Sequence, residues 1–415
     1  MIKIFKAGVT LENWKRNLFI CWLGSFATTS ALSQIAPVLP LFIKNLGMHD
    51  MAQIETWSGI AFGSTTFVMA FFSPFWGKLA DKYGRKPMLL RASLGMAIVV
   101  GSISLVNSVY QLVGLRILMG TISGFNSGAI TLIATQTPEN KAGWALGTLS
   151  TGTISGMLLG PLMGGYLVEL LGIRSIFIVM GLFLLIAFFL TLFFVQEDFT
   201  PPQKALMSFG NIWHILPDKT LIIGMFITTF IIQAALFSIE PIITVYISSL
   251  APQTEHLAFI SGLVFASSGF SSILAAPLLG RLSDRIGAHK IILASLICAT
   301  ILFIPQAFVK NEWQLMGLRF LIGIPTGAML PSINTILKQN IPPEIAGRMF
   351  SYNQTAQFLG VFCGSVLGGQ IAAHSGIRNL FFFTSFLLFV NLIGVREFIY
   401  KRADDKFTHT ISHSM

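Results

Sequence analysis

The sequence predicts an all-α membrane protein built from two similar halves, and two observations lead to this prediction. Of the 415 residues, 53% are hydrophobic and only 11% are charged, with a mean hydropathy of +0.74, whereas soluble domains carry about 25% charged residues. The chain also contains a long internal repeat. The composition predicts helices in lipid, and the repeat predicts two pseudo-symmetric bundles of six transmembrane helices each.

The repeat is clearest in a polar loop between apolar segments. The run Gly-Lys-Leu-Ala-Asp-Lys-Tyr-Gly-Arg-Lys-Pro at 77–87 returns 203 residues later as Gly-Arg-Leu-Ser-Asp-Arg-Ile-Gly-Ala-His-Lys at 280–290. Twelve glycine pairs coincide at an offset of 203 or 204 residues, where this glycine content would give roughly two by chance. Parallel repeats around a shared substrate site are typical of transporters.

Twelve apolar segments are long enough to cross a bilayer, which takes about 20 helical residues. They lie near residues 18–43, 57–79, 88–107, 109–136, 144–168, 174–195, 220–248, 258–280, 290–309, 313–338, 345–373 and 378–400. The predicted domains are therefore an N-terminal bundle at 1–195, a cytoplasmic linker at 196–219 and a C-terminal bundle with a short tail at 220–415. The first segment is expected to remain as a span, because it lacks a signal-peptide cleavage pattern.

The basic residues predict the orientation, since cationic loops resist translocation. With both termini in the cytoplasm, Lys44, Arg174, Lys310 and Arg378 lie outside and two arginines lie within spans, which leaves 21 of the 27 Lys and Arg residues inside. We therefore expect a multi-pass protein of the cytoplasmic (inner) membrane of a bacterium. This topology accounts for the net charge of +10, so the expected partner is the lipid bilayer and not nucleic acid. We expect a monomer.

Other classes of function find little support in the sequence. Cys21, Cys298 and Cys363 lie in apolar segments without metal-ligand spacing. Neither a Ser-His-Asp arrangement nor a phosphate-binding glycine loop is present, so we expect no enzyme activity, no metal site and no cofactor. A membrane-embedded enzyme and a non-transporting sensor are the alternatives from other classes, and the sensor is disfavoured because the sequence contains no signalling domain.

Three ionisable residues lie well inside predicted spans: Arg116 in the fourth, Glu240 in the seventh and Arg319 in the tenth. A charge at mid-bilayer costs about 3 kcal/mol on insertion scales, and such residues typically face a cavity or a partner. At 1.5 Å per residue, all three lie roughly 10 Å below the predicted outer surface. Glu240 is the candidate proton carrier, because burial favours a neutral carboxyl group and a nearby arginine favours the ionised one. A static ion pair with Arg319 or Arg116 is the alternative.

Polar residues on the same spans predict a substrate cavity. In the seventh span they recur at spacings of four, seven and four residues from Thr229 to Thr244, along one helix face. On the fourth span two serines continue the Arg116 face, and two polar residues lie one turn apart on the first span. Such stripes would be costly in lipid, so they are expected to look inward. The candidate cavity residues are Ser30, Gln34, Ser123, Ser127, Gln233, Phe237 and Thr244.

Two motifs predict conformational gating. In the fifth span, glycines recur every fourth residue from Gly152 through Gly156 and Gly160 to Gly164, a strip on which a neighbouring backbone can approach closely. Pro161 removes a helix hydrogen bond beside this strip and predicts a bend there. The second half has Ser365 at the position of the proline, so the two halves are not expected to be equivalent.

The second motif is the repeated loop, in which the candidate gating residues are Gly77, Asp81, Gly84, Arg85 and, in the second half, Asp284. Asp81 is expected to face the amide groups at the start of the eleventh span when the cytoplasmic ends meet, which would stabilise the outward-open state. The alternative is a local surface ion pair worth under about 1 kcal/mol.

These motifs resemble those of the major facilitator superfamily, in its drug:proton antiporter branch with twelve helices. The resemblance covers nearly the whole chain and is strongest in three motifs. These are Gly77-x-x-x-Asp81-x-x-Gly84-Arg85-Lys86 between helices 2 and 3, Leu115-Arg116-x-x-x-Gly120-x-x-x-Gly124 in helix 4, and Gly156-x-x-x-Gly160-Pro161-x-x-Gly164-Gly165 in helix 5. Longer strings such as Ser73-Pro74-Phe75-Trp76-Gly77 resemble the MdtG type of bacterial multidrug resistance transporter.

The resemblance implies proton-coupled efflux, by antiport and alternating access, with the proton gradient as the energy source. In that branch the arginine at the position of Arg116 is associated with proton coupling. The two arginines and one glutamate within the spans favour small amphipathic or anionic drugs as substrates. An importer or facilitator of a small metabolite with the same fold is the alternative.

Overall fold

The computed structural model describes residues 2–199, 216, 218–252, 254 and 256–397, without the side chains of 2–12, 139–140, 284 and 343–344. Every regular element in these ranges is a helix. A backbone in lipid must satisfy its N–H and C=O groups within its own segment, which a helix does. The predicted all-α fold is confirmed. Most of the predicted linker and the C-terminal tail lie outside the described residues.

Helices in the described ranges account for the twelve predicted spans. Eleven helical segments are long and apolar enough to cross a membrane, and a pair bent by 43° makes a twelfth. In chain order the helices are α1 (Ile2–Ser33), α2 (Ile35–Asn45), α3 (Met51–Tyr83), α4 (Arg85–Ile103), α5 (Val109–Ile122), α6 (Phe125–Gln136), α7 (Glu139–Leu171), α8 (Ser175–Phe194), α9 (Lys219–Ile239), a 3-10 turn (Glu240–Ile242), α10 (Ile243–Leu250), α11 (Leu257–Ile286), α12 (Ala288–Gln306), α13 (Glu312–Asn340), α14 (Pro343–Ser375) and α15 (Ile377–Val395).

Three spans are interrupted within their length. The first bends at Gln34, between α1 and α2, where Pro37 cannot donate a hydrogen bond back into the preceding turn. The fourth is interrupted between α5 and α6 by Gly124, whose φ of +129° suits glycine only. The seventh tightens into a 3-10 turn that contains Pro241. Each interruption therefore coincides with a proline or a glycine.

These interruptions correct the predicted polar face of the fourth span. A shared face would require a continuous α-helix from Arg116 to Ser127, and the prediction is wrong because the backbone leaves helical geometry at Ser123 and Gly124. Arg116 and Ser123 are buried, whereas Ser127 is exposed. In the seventh span, the 3-10 turn similarly changes the helical phase between Gln233 and Thr244, although both side chains are buried.

The described chain divides into two compact units. Unit 1 comprises Met1–Met48, Phe71–Lys204 and His256–Leu263, and unit 2 comprises His49–Ala70, Ala205–Glu255 and Val264–Met415. The first part of α3 belongs to unit 2 because it packs on α14: a Cβ atom on Gly369 would lie 2.7 Å from the Glu55 carbonyl oxygen.

The first turn of α11 belongs to unit 1 because it packs on α7. The Glu169 carboxylate accepts a hydrogen bond from the Phe259 amide at 3.0 Å, and its other oxygen lies 3.0 Å from Nδ1 of His256. The predicted boundaries at 195 and 220 remain a prediction.

In unit 1 the glycine strip of α7 packs directly on the backbone of α1. A Cβ atom on Gly156 would lie 2.6 Å from the Phe26 carbonyl oxygen, and one on Gly160 would lie 2.8 Å from that of Ser30. Real Cβ atoms do not approach other atoms this closely, so a side chain at either position would force the helices apart. Pro161 lies within α7, and its carbonyl group meets Gly262 of α11.

Unit 2 repeats this arrangement between α14 and α9. Gly360, Gly364 and Gly368 meet the carbonyl groups of successive turns of α9, which belong to Phe230, Ala234 and Ser238. The counterpart of Pro161 is Ser365, whose hydroxyl group donates a hydrogen bond of 2.7 Å to the Val361 carbonyl oxygen in its own helix. The repeat therefore extends to the geometry of helix pairing, and the two strips differ at this position.

We expect Gly160→Ala to lower the thermal stability of the purified protein, because the added methyl group has no room against α1. Overpacking of this kind costs about 1–3 kcal/mol. Gly147→Ala is the matched control in the same helix, since a Cβ atom there would meet no described atom within 4 Å. The measurement is the melting temperature in detergent, and equal melting temperatures for the two variants would contradict this account of the strip.

Candidate functional site

Unit 2 brings together two of the predicted charges, Glu240 and Arg319, which interact electrostatically. Glu240 begins the 3-10 turn after α9, and Arg319 lies in α13 with only 4% of its surface exposed. Within the described part of the chain, Nε and Nη2 of Arg319 have no hydrogen-bond partner. The pair is therefore not a closed bidentate bridge, and the guanidinium group keeps donors that a ligand can use.

Arg116, the third predicted charge, lies in α5 of unit 1 and is 3% exposed. Two turns beyond it, the Ser123 hydroxyl group donates a hydrogen bond of 2.7 Å to the Met119 carbonyl oxygen at the end of α5. The common depth of Arg116, Glu240 and Arg319 remains a prediction, as do their roles.

In unit 1 the bend of the first span carries a buried amide group. Gln34 is 1% exposed, and neither Nε2 nor Oε1 has a hydrogen-bond partner among the described residues. The Ser30 hydroxyl group, one turn earlier, is likewise buried without a partner. Because buried polar groups are rarely left unsatisfied, such a pair often marks a functional position. Gly164 packs against Gln34 and fixes the bend on α7.

The remaining cavity candidates lie in unit 2 and differ in their surroundings. Gln233 is 8% exposed and packs beside Gly360 of α14, and Thr244 is 1% exposed. Phe237 is half-buried and stacks on Phe62, with the ring centroids 6.0 Å apart. The structure thus places these three residues in α9 and α10 around the Glu240 turn.

Sequence reasoning missed Arg91, which repairs the interruption of the fourth span. Its guanidinium carbon lies 3.6 Å from the centre of the Trp76 ring, and its Nη2 donates a hydrogen bond of 3.3 Å to the Ser123 carbonyl oxygen. Trp76 Nε1 donates to the Thr121 carbonyl oxygen at 2.6 Å. Thr121 lies in the last turn of α5 and Ser123 caps its C-terminus, where carbonyl groups lack partners within the helix. The sequence signal for this interruption, and for carbonyl groups that need other partners, was the glycine in the middle of the fourth span.

Glu55 is a second buried ionisable residue that the sequence analysis left out. The predicted second span began at residue 57, whereas α3 begins at Met51, so Glu55 lies inside the helix and is 6% exposed. Arg116, Glu240 and Arg319 are therefore not the only ionisable residues within spans.

The predicted gating loop joins α3 to α4. Arg85 Nη2 forms an ion pair of 2.7 Å with Asp81, four residues earlier, and the Asp81 side chain is 41% exposed. Gly84 has a φ of +94°, which explains the glycine, and Gly77 has open space around it. The Asp284 side chain lies outside the described residues. The gating role of these residues remains a prediction.

Comparison with known proteins agrees with the fold. The family profile described as Major Facilitator Superfamily matches residues 18–258 and 221–410. Among solved structures, the nucleoside transporter NupG has a TM-score of 0.75 at 14% identity, covering 93% of this chain and 99% of that one. A bacterial homolog of the human lysosomal transporter Spinster, inward-facing and unoccupied, gives 0.75 at 14% identity, covering 94% and 98%. At such identity the likeness shows the fold alone.

Sequence relatives are much more similar. "Multidrug resistance protein MdtG" of Proteus mirabilis is 46% identical over 383 residues, which is 92% of this chain and 95% of the relative. The protein of the same name from Citrobacter koseri is 46% identical over 382 residues, covering 92% and 94%. The chain is therefore a multi-pass membrane protein of the Major Facilitator Superfamily, a family of transporters and not of enzymes, and within it groups with the MdtG proteins.

Proposed function

We propose that this protein is a proton-coupled exporter of small amphipathic or anionic drugs that works by alternating access. The full-length similarity to MdtG multidrug resistance proteins supports drug efflux. One structural observation carries the proton-coupling part: Glu240, a carboxyl group within a span, faces the charge of Arg319 without a closed bridge. An importer or facilitator of a metabolite is the second candidate, and no contact among the described residues favours it.

Glu240 and Arg319 can act as a protonation switch. An ionised Glu240 offsets the charge of Arg319, whereas a protonated Glu240 leaves the arginine uncompensated in a low-dielectric environment. One proton driven by 100 mV supplies about 2.3 kcal/mol, enough for roughly a 40-fold gradient of substrate. A single carboxyl group is therefore sufficient in energy terms.

We also propose where the protein lies in the cell and in which oligomeric state it acts. We place it in the inner membrane of a bacterium with both termini in the cytoplasm, because this orientation puts most Lys and Arg residues inside. It would act as a monomer, use protons and small molecules as its ligands, and need no cofactor.

The experiment that tests this function compares drug susceptibility of cells with and without the protein, each with and without a protonophore. We expect expression to lower susceptibility and the protonophore to abolish the difference. Accumulation of the substrate in expressing cells would instead establish the importer.

We expect Glu240→Gln to abolish uphill efflux while leaving the fold intact, since glutamine keeps the shape of the side chain and removes its titratable proton. Glu240→Asp is the matched control, because it retains a carboxyl group and should keep measurable coupling. Efflux by purified protein in liposomes with an imposed pH gradient measures this. Active efflux by well-expressed Glu240→Gln would show that a residue other than Glu240 carries the proton.

Substrate charge provides a further prediction with a definite sign. An anion should bind better as the pH falls, because protonation of Glu240 leaves positive charge uncompensated, whereas a cation should bind worse. A cationic amphiphile thus competes with the proton, whereas protonation and anion binding reinforce each other, so simple competition does not describe the transport of an anion. Binding of matched anionic, neutral and cationic compounds would be measured for wild type, Arg116→Gln and Arg319→Gln. If neither arginine substitution weakens binding of the anionic compound, charge does not control selectivity.

We expect Asp81→Asn to slow turnover by weakening the outward-open state, because it removes the anion that is expected to face the amide groups at the start of α14 in that state. Arg85→Gln separates this role from the local ion pair, because it removes the partner of Asp81 and retains the carboxylate. Distance measurements across the cytoplasmic ends should show more inward-open molecules in Asp81→Asn than in Arg85→Gln. Equal populations in the two variants would reduce Asp81 to a surface ion pair.

A further inference from the structure

Three consecutive residues that follow α8, Gln196, Glu197 and Asp198, are each held by a different helix of unit 1. We call this segment the 196–198 clamp. The central residue is held through its side chain and the outer two through their backbones. The chain passes from the last span of the N-terminal half into the predicted linker at this point. The contacts therefore lie where the linker begins.

The Glu197 carboxylate caps the N-terminus of α4. The Arg85 amide donates to both carboxylate oxygens, at 2.7 and 2.8 Å, and the Lys86 amide donates to Oε2 at 2.8 Å. The first amide groups of a helix have no partners within it, and the helix dipole favours a negative charge there. Hydrogen bonds to an ionised acceptor are roughly twice as strong as neutral ones. Glu197 is therefore strongly placed to fix the start of α4.

Position 84, immediately before α4, favours glycine for two reasons: its backbone conformation and its contact with the Glu197 carboxylate. Its φ of +94° already disfavours other residues. A Cβ atom there would also lie 2.9 Å from Glu197 Oε2 and 3.3 Å from Cγ of Phe199. The carboxylate thus occupies the space that a side chain at position 84 would fill. This glycine of the loop motif has a partner 113 residues away in the sequence.

Two side-chain amides hold the residues on either side of Glu197. Asn17 of α1 donates to the Gln196 carbonyl oxygen at 2.6 Å and accepts from its amide at 3.1 Å. Gln136 of α6 donates to the Asp198 carbonyl oxygen at 3.1 Å and accepts from its amide at 3.4 Å. Each amide satisfies both backbone groups of one residue, as a neighbouring strand would, so the position of the segment is set from both sides.

The second half repeats the residues of this clamp only in part. The repeat places Thr220 at the position of Asn17. At the position of Gln136 it places Gln339 with an offset of 203 residues and Asn340 with an offset of 204, and the Asn340 amide donates to the Ile336 carbonyl oxygen of its own helix. Gly287, the counterpart of Gly84, has a similar φ of +98°, but its nearest neighbour is the ring of His289. The repeated turn thus has a similar shape in both halves, and the nearest described contacts of its glycine differ between them.

We propose that Glu197 is a positioning residue for transport: it holds the Gly84 turn, and with it the Asp81–Arg85 pair, at a place fixed by the first residues of the linker. The loop between α3 and α4 and the start of the linker then move as one body. Loss of the carboxylate should free the turn and slow the conformational cycle, while substrate contacts stay unchanged. The transport part of this inference rests on the proposed function.

The test measures amide hydrogen exchange and transport in Glu197→Ala and Glu197→Gln, with Asp198→Asn as the matched control. The control removes a neighbouring charge, and the contacts of Asp198 to Gln136 use only its backbone. We expect the Arg85 and Lys86 amides to exchange about tenfold faster or more in Glu197→Ala, as loss of hydrogen bonds to a charged acceptor implies. Maximal transport rate should fall severalfold in both Glu197 variants at unchanged KM, with Asp198→Asn like wild type.

Each outcome has one meaning. Unchanged exchange at Arg85 and Lys86 would overturn the cap itself. Faster exchange with unchanged transport would overturn the positioning role, and a raised KM at unchanged maximal rate would do the same. If wild type itself does not transport the compounds used, the proposed function fails, while the exchange measurement still decides the cap. Gly84→Ala should be less harmful in a Glu197→Ala background than in wild type, because the collision is then removed.

Discussion

Backbone hydrogen bonding in lipid is the constraint on which this structure depends. A span that leaves helical geometry exposes carbonyl and amide groups that lipid cannot satisfy. The interruptions at Gln34, Gly124 and Pro241 therefore need local repair or a functional reason. At Gly124 the repair is explicit, since Arg91 and Trp76 bond to the carbonyl groups that α5 releases. Broken helices near ligand sites are common in secondary transporters.

The candidate residues gather at these same interruptions. Gln34 lies at the first, Ser123 at the second and Glu240 at the third. A proline or glycine that breaks a span thus also aims a polar side chain or a freed backbone group toward the interior. The tenth span follows another route, because α13 is continuous around Arg319 despite two prolines farther along. Burial disfavours its charge, and the nearby carboxyl group of Glu240 favours it.

The sequence contained enough information for the fold class, the twelve spans and the pairing strips. The length of an apolar segment and the spacing of its glycines can be read within that segment, without knowing which helices it packs against. The faces of interrupted spans could not be predicted so well, because one residue such as Gly124 changes the phase of everything after it. Span ends were also displaced, which hid Glu55.

Contacts that join distant parts of the sequence were beyond prediction. Glu197 follows a span and reads as an ordinary surface residue, and nothing near it in the sequence indicates that it caps α4. The motif predicts Gly84 as a turn residue. That the Glu197 carboxylate occupies the space of a side chain at this position is known only from the fold. The candidate site follows the same rule: its residue types are visible in the sequence, and their partners are not.

The glycine strips have a consequence for genetics. The three atoms nearest to a Cβ atom added at Gly364 are backbone atoms of Ala234, and those nearest to one added at Gly368 are backbone atoms of Ser238. Since every amino acid carries the same carbonyl group, no replacement at Ala234 or Ser238 can make room for a larger residue on α14. A selection for second-site suppressors of Gly364→Ala would therefore return true revertants, and compensating changes in the facing helix should be absent. At positions of this kind the glycine must be retained whatever residue occupies the facing helix.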